Sequence, residues 1–186
     1  MVSSLPERPG EQDDVLVELV DEQGATSGYA PKLAAHQAPG RLHRAFSVFL
    51  VDARGRLLLQ RRGSGKYHSG GLWSNTCCSH TRPQEDPLEA ATRRVREELG
   101  VEAIGLTEAG TITYRVADPV SGLVEHEWNH LFVGRVAGDP APDPREIDDY
   151  AFVALDELRG AAAGRSFTAW FPTVFEAVLP ALRGGS

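Results

Sequence analysis

The chain has 186 residues, 41% of them apolar and 24% charged, with a formal net charge of -7. That length and balance predict one globular domain with a real core, over residues 14–186, and the acidity argues against a nucleic-acid binder. No apolar run reaches the length of a membrane span ("AFSVFLV" is far too short), and the polar, acidic start shows no signal peptide.

In chain order, residues 1–13 carry Pro6, Pro9 and Gly10 and read as a flexible tail. "DVLVELVDEQG" alternates apolar and polar residues before a turn at Gly24, which predicts an edge strand. Ala45–Val51 and Leu57–Arg61, separated by Asp52, Ala53, Arg54 and Gly55, read as a β-hairpin. A Gly- and Lys-rich loop runs from Gly63 to Gly71. Asp86 is placed to cap a helix with Pro87 at its first position, and Gly100 to stop it. Leu88, Ala91, Val95 and Leu99 give that helix an apolar face, opposite Arg94, Glu97 and Glu98. Thr111–Val116 and Glu127–Val136 read as strands around a turn at Asp118 to Gly122. Asp139–Asp148 is an acidic, Pro-rich loop, Tyr150–Val153 a short strand, and Leu155 the start of a short helix. Ala169 to Leu182 reads as a helix, with Pro172 tolerated only near its start. Strands and helices mix without regular alternation, which predicts an α+β sandwich with a mixed β-sheet.

Several residue sets are equipped for chemistry. His36, His43 and His80 precede Glu125 and Glu127, and the two glutamates lie two apart in an extended run, so both point to one face. Such carboxylates repel unless a cation or proton holds them together. Three imidazoles and two carboxylates suit Mn²⁺, Mg²⁺ or Zn²⁺. The plainer alternative is a scatter of ordinary histidines, and His68, His126 and His130 are read that way, with His126 facing away from its glutamate neighbours. Cys77 and Cys78 are adjacent, a poor geometry for a disulfide, so both read as reduced thiols of a cytoplasmic protein. In an extended segment they face opposite sides: Cys78 is a candidate proton carrier and Cys77 a buried apolar residue.

Glu98 follows Arg94 by four residues, either a surface ion pair or a hard ligand for Mg²⁺ on a diphosphate. Lys32, Arg62, Lys66 and Arg94 form a basic set suited to phosphate oxygens, or plain solvated charge; Arg61 alternates away from Arg62. Trp73, Trp170 and Tyr114 are core packing unless an indole face meets a cation.

Taken together, "AAHQAPGRLHRAFS", "RRGSGKYHSGGLWSNTCCSH", "RRVREELGV" and "VEHEWN" resemble the type 1 isopentenyl-diphosphate isomerases, a branch of the Nudix superfamily. The resemblance runs from about Leu16 to the C-terminal helix. It implies a Nudix-type α/β/α sandwich with an N-terminal extension. It implies a first metal held by His36, His43, His80, Glu125 and Glu127, and a Mg²⁺ carried in with the diphosphate and held by Glu98. Cys78 and Glu127 would be the acid/base pair, with Tyr114 beside Glu127 and Trp170 covering a carbocation. Lys32, Arg62, Lys66 and Arg94 would grip the diphosphate.

The expected partner is a small-molecule diphosphate, with no nucleic acid or membrane, bound by a monomer or weak homodimer. Against the general Nudix signature, Ser79 stands where glycine is expected and Arg94 where glutamate is expected. The Arg94 change argues against the rival reading, a Nudix hydrolase of a nucleoside diphosphate derivative.

Overall fold

The structure, a computed structural model, describes residues 15–66, 68–159 and 164–184. The expected tail at residues 1–13 lies outside the described residues, as does Tyr67 in the basic loop.

The chain opens as an antiparallel pair, β1 (Leu16–Val20) and β2 (Thr26–Pro31). Asp21 shapes the connecting turn: its Oδ1 accepts from the backbone N–H groups of Gln23 and Ala25 at 2.9 Å. Gly24 has φ 79°, and a Cβ there would lie 2.5 Å from the Trp128 ring, so the turn needs glycine twice over. Among these strands β2 takes the edge and β1 sits inside it, paired to the next strand through Leu19↔His43, which corrects the edge position expected for β1. β2 gives little signal because "TSGYAP" combines Gly, Pro and mostly exposed positions.

A short helix, α1 (Lys32–His36), leads to β3 (His43–Val51), β4 (Arg56–Arg62), β5 (Trp73–Ser74) and β6 (Cys77–His80). β3 organises the sheet. It pairs antiparallel with β6 and parallel with β8 (Val124–Ala137), and it meets β4 only at the hairpin base, Val51↔Leu57. β7 (Glu102–Ala117) runs antiparallel to β8, and β9 (Ile147–Ala154) antiparallel to β4. The sheet is therefore mixed, as expected.

Alternation along β3 divides the core. Phe46, Val48 and Leu50 face α2 (Pro87–Leu99), packing with Leu58, Cys77, Ala91, Val95 and Leu99. Phe49 faces the other way, with Leu57, Leu59 and Leu131, under α4 (Phe171–Gly184) and its Val174, Phe175 and Val178. Each such fully buried large side chain contributes about 1.5–3 kcal/mol. A fourth helix, α3 (Leu155–Arg159), follows β9. The result is an α+β sandwich with a helix on either face of the sheet.

The α2 signals hold. Asp86 accepts from the N–H groups of Leu88 and Glu89, Pro87 is the first helical residue, and Gly100 closes the helix with φ 65°. Its buried stripe differs from the expected one. Leu88 is 40% exposed while Ala90 is fully buried, and Glu98, opposite the expected apolar face, is only 2% exposed.

Candidate active site

The residues that matter converge because of strand register. On β3, His43 stands beside Glu127 of β8, and Ala45 and Ser47 stand opposite His80 and Cys78 of β6. On β7, Tyr114 lies opposite Glu127. All these side chains emerge on the α4 face of the sheet. His126 alternates to the opposite face, near the Gly40 carbonyl, as expected. α1 delivers His36, and the loop after β4 delivers Lys66 and His68.

His36, His43, His80, Glu125 and Glu127 each offer a ligand atom within 4.8 Å of the others, and all are largely buried. Tautomers can be read from the hydrogen bonds. His36 Nδ1 lies 2.7 Å from the Lys32 carbonyl and His43 Nδ1 2.8 Å from the Arg41 carbonyl, so each Nδ1–H donates outward. Both Nε2 atoms point into the cluster: His36 Nε2 at 3.0 Å from Glu125 Oε2, and His43 Nε2 at 3.1 Å from His80 Nε2. Nitrogen and oxygen atoms converging at close range, with two of the imidazoles oriented by a carbonyl behind them, form a donor set that fits a divalent cation.

The electrostatics agree. Burial, with His36 nearby, pulls His43 down to about 4, and burial pulls His80 well below the usual imidazole range, so both are neutral, as ligands must be. Burial alone would raise Glu125, but hydrogen bonds from His36 and His68 outweigh it and hold that carboxyl well below the usual range. Burial and the Glu125 charge push Glu127 well above it. One carboxyl ionised beside one disfavoured is how two close carboxyls share a buried site.

Glu127 has two distinct sides. Its Oε1 faces His80 Nε2 at 3.5 Å and His43 Nε2 at 3.9 Å. Its Oε2 accepts from the Tyr114 hydroxyl at 2.5 Å and from Asn129 Nδ2 at 2.7 Å. Burial and the Glu127 charge raise Tyr114 well above its ordinary value, so it stays a donor.

Cys78 and Cys77 separate as the alternation predicts: Cys77 is in the α2-side core and Cys78 at the cavity. Cys78 Sγ donates to Asn75 Oδ1 at 2.9 Å, and Ser47 Oγ lies 3.4 Å from the sulfur. Asn75 is itself fixed, since its Nδ2 donates to the carbonyls of Val48 and Cys77, both at 3.0 Å. Burial pushes the Cys78 thiol up to about 11, partly offset by the Ser47 and Asn75 hydrogen bonds. The sulfur therefore carries a proton at neutral pH.

Beside these groups opens a cavity. Lys32, Arg62, Lys66, Arg94 and Glu98 line it together with Cys78, Tyr114, Glu125, Glu127 and Trp170. The basic set thus converges and is not scattered surface charge. Burial and the neighbouring cations Lys66 and Arg62 pull Lys32 down to about 8, as expected where an anion belongs. Glu98 accepts from Arg94 Nη2 at 2.5 Å and from Gln60 Nε2 at 3.1 Å, and its burial removes the reading of a plain surface pair. The Arg62 guanidinium lies 5.2 Å from the Trp170 ring, so that indole already faces a cation. Trp73 is half-buried against the α4 core, with the Arg165 guanidinium 5.0 Å from its ring.

Sequence reasoning missed four participants. Glu146 pairs with Lys66 and with Arg94 at 3.3 Å. Asn75 and Asn129 orient Cys78 and Glu127. His68, read as ordinary, lies 2.7 Å from Glu125 Oε1. Asn75, near the thiol in "SNTCC", and Asn129, two residues beyond Glu127 on the same strand, could have been flagged by their closeness to those groups; His68 and Glu146 depend on contacts across 50 or more residues.

Comparison with known proteins is consistent with this geometry. The NUDIX domain family model matches residues 41–171. Among curated proteins, the chain is 59% identical over 174 residues to the isopentenyl-diphosphate Delta-isomerase of Streptomyces griseus, covering 94% of this chain and 88% of that one. The protein of the same name from Streptomyces coelicolor matches at the same identity and coverage. That from Nocardia farcinica is 48% identical over 162 residues, covering 86% of this chain and 92% of its own. Among solved structures, DR0079 from Deinococcus radiodurans superposes with TM-score 0.71 at 20% identity, over 87% of this chain and 97% of that one. That likeness concerns the fold alone.

Proposed function

Because this chain belongs to the isopentenyl-diphosphate Delta-isomerase family of NUDIX-domain proteins, we propose that it converts isopentenyl diphosphate to dimethylallyl diphosphate. One observation carries the reading: a half-buried thiol, Cys78, and a buried carboxyl, Glu127, open into the same cavity as four cationic side chains.

The reaction moves a double bond along an unactivated alkene. One proton is added to the terminal carbon, leaving a tertiary carbocation, and one leaves from the carbon on the diphosphate side. Nothing is oxidised or reduced. Two separate acid/base groups suit this, one adding and one removing the proton. The Cys78 thiol holds its proton, directed by Asn75 and Ser47. Glu127 is the second acid/base group, with its Oε2 accepting from the Tyr114 hydroxyl. The Trp170 ring faces the cationic centre with its electron-rich side, and the buried walls keep out water that would trap the cation.

A divalent ion, Mn²⁺, Mg²⁺ or Zn²⁺, would be held by His36, His43, His80, Glu125 and Glu127, and its charge would set the ionisation of Glu127. Lys32, Arg62, Lys66 and Arg94 would bind the diphosphate, with Glu98 meeting a Mg²⁺ carried by it. Binding energy from this unreactive end positions the alkene. The hydrolase alternative loses support at Arg94, whose guanidinium engages Glu97, Glu98 and Glu146 where that reaction would need another carboxylate.

The test is phosphorus and proton NMR of isopentenyl diphosphate incubated with the metal-loaded protein. Dimethylallyl diphosphate with its diphosphate intact is expected. Release of phosphate without isomerisation would replace this reading with hydrolysis.

A further inference from the structure

His68 stands apart from the other cluster histidines. It sits two residues beyond Lys66, in the loop joining β4 to β5, yet its Nε2 reaches Glu125 Oε1 at 2.7 Å. The ring is 7% exposed, with its centroid 6.0 Å from that of His36 and 5.9 Å from that of Trp170. His36, His43 and His80 belong, with Glu125 and Glu127, to the set of ligand atoms that lie within 4.8 Å of one another, and His68 does not. His68 therefore holds a ligand and is not one.

The same short segment is tied on two more sides. The His68 carbonyl accepts from Arg62 Nη2 at 3.3 Å. The Ser69 N–H donates at 3.2 Å to Asp118 Oδ2, in the turn that leads into β8. Ser69 has φ 51°, a left-handed conformation that a non-glycine residue keeps only when its surroundings hold it. Side chain, carbonyl and following N–H thus each engage a different element: β8, β4 and the turn between β7 and β8.

We infer that His68 is a positioning residue that fixes Glu125 for metal and couples the metal cluster to the anion-binding loop. With Oε1 occupied by His68, Oε2 is the oxygen turned toward His36 and the cluster centre. The loop that makes this contact also carries Lys66 and touches Arg62, so order at one site is order at the other. The inference rests on the metal reading proposed above.

Mn²⁺ titration of the metal-stripped protein by calorimetry separates the possibilities, with circular dichroism confirming the fold. His68→Ala is expected to weaken Mn²⁺ binding by about 10–100-fold. His68→Gln, whose amide N–H can reach the Nε2 position, should recover binding to within a few-fold of wild type, whereas His68→Asn, whose amide falls short, should not. The Gln and Asn variants are both polar and keep the comparison decisive if the alanine variant folds poorly. Equal Mn²⁺ affinity in wild type, His68→Ala and His68→Asn would overturn the role of His68 while leaving the metal site standing. A wild-type protein that binds no Mn²⁺ would overturn both.

Discussion

Cys77 and Cys78 are chemically the same and differ only in the side of β6 from which they project. Cys77 is packed among Phe46, Leu58 and α2, and burial raises its thiol far beyond reach of ionisation. Cys78 meets Asn75, Ser47 and the cavity. Substitution should separate them cleanly. Cys78→Ala and Glu127→Gln are each expected to lose at least about 10²–10⁴-fold in turnover, the usual worth of a positioned proton carrier, while still binding inorganic diphosphate. Cys77→Ala should keep turnover and lose only about 1 kcal/mol of stability by urea unfolding. Full turnover in Cys78→Ala would remove that thiol from the mechanism.

At the scale of elements, what could be read in advance was whatever is written in local pattern. α2 announced itself through Asp86, Pro87 and Gly100, and the hairpin turn through Asp118 to Gly122. The resemblance carried the ligand set, and register then explained its convergence: Glu125 and Glu127 project together from β8, and His43 lies beside Glu127. What stayed hidden is tertiary. β2 and the first half of β7 are largely exposed, so no alternation betrays them. The burial of Glu98 was not legible because helical spacing gives an angle around the axis and not what lies beside it; in the structure Gln60 of β4 donates to it. His68 and Glu146 acquire meaning only once the loop after β4 meets β8 and the approach to β9. The helix stop gives a direct test. Gly100 has φ 65°, and a Cβ would lie 2.7 Å from the Ala141 carbonyl oxygen. Gly100→Ala should destabilise the protein by about 1 kcal/mol or more. Because Glu98 is in the last turn of α2, its activity should fall too, and an unchanged urea midpoint would refute that role for Gly100.

Over the whole molecule, a net charge of -7 coexists with a cavity lined by cations. Glu146 reconciles part of this by pairing with Lys66 and Arg94. Burial would raise its carboxyl, but those two charges hold it down at about 2, against an ordinary value of 4.5. A carboxyl depressed on folding contributes stability that is present above its unfolded pKa and is lost as pH falls through the folded one. With screening at this partly open site, the contribution is on the order of 2 kcal/mol. Acid unfolding of the wild type should therefore steepen between pH 4.5 and 2, and Glu146→Gln should flatten that window. Identical acid profiles would contradict the pairing.

The most direct measurement of the central claim is proton NMR of isopentenyl diphosphate in D₂O with the purified protein, Mg²⁺ and Mn²⁺. Dimethylallyl diphosphate carrying deuterium in the newly formed methyl group is expected, with no conversion after exhaustive chelation. Conversion that leaves the methyl group free of deuterium would contradict solvent-exchanging proton carriers at Cys78 and Glu127. No conversion by folded, metal-loaded protein would contradict the isomerase itself.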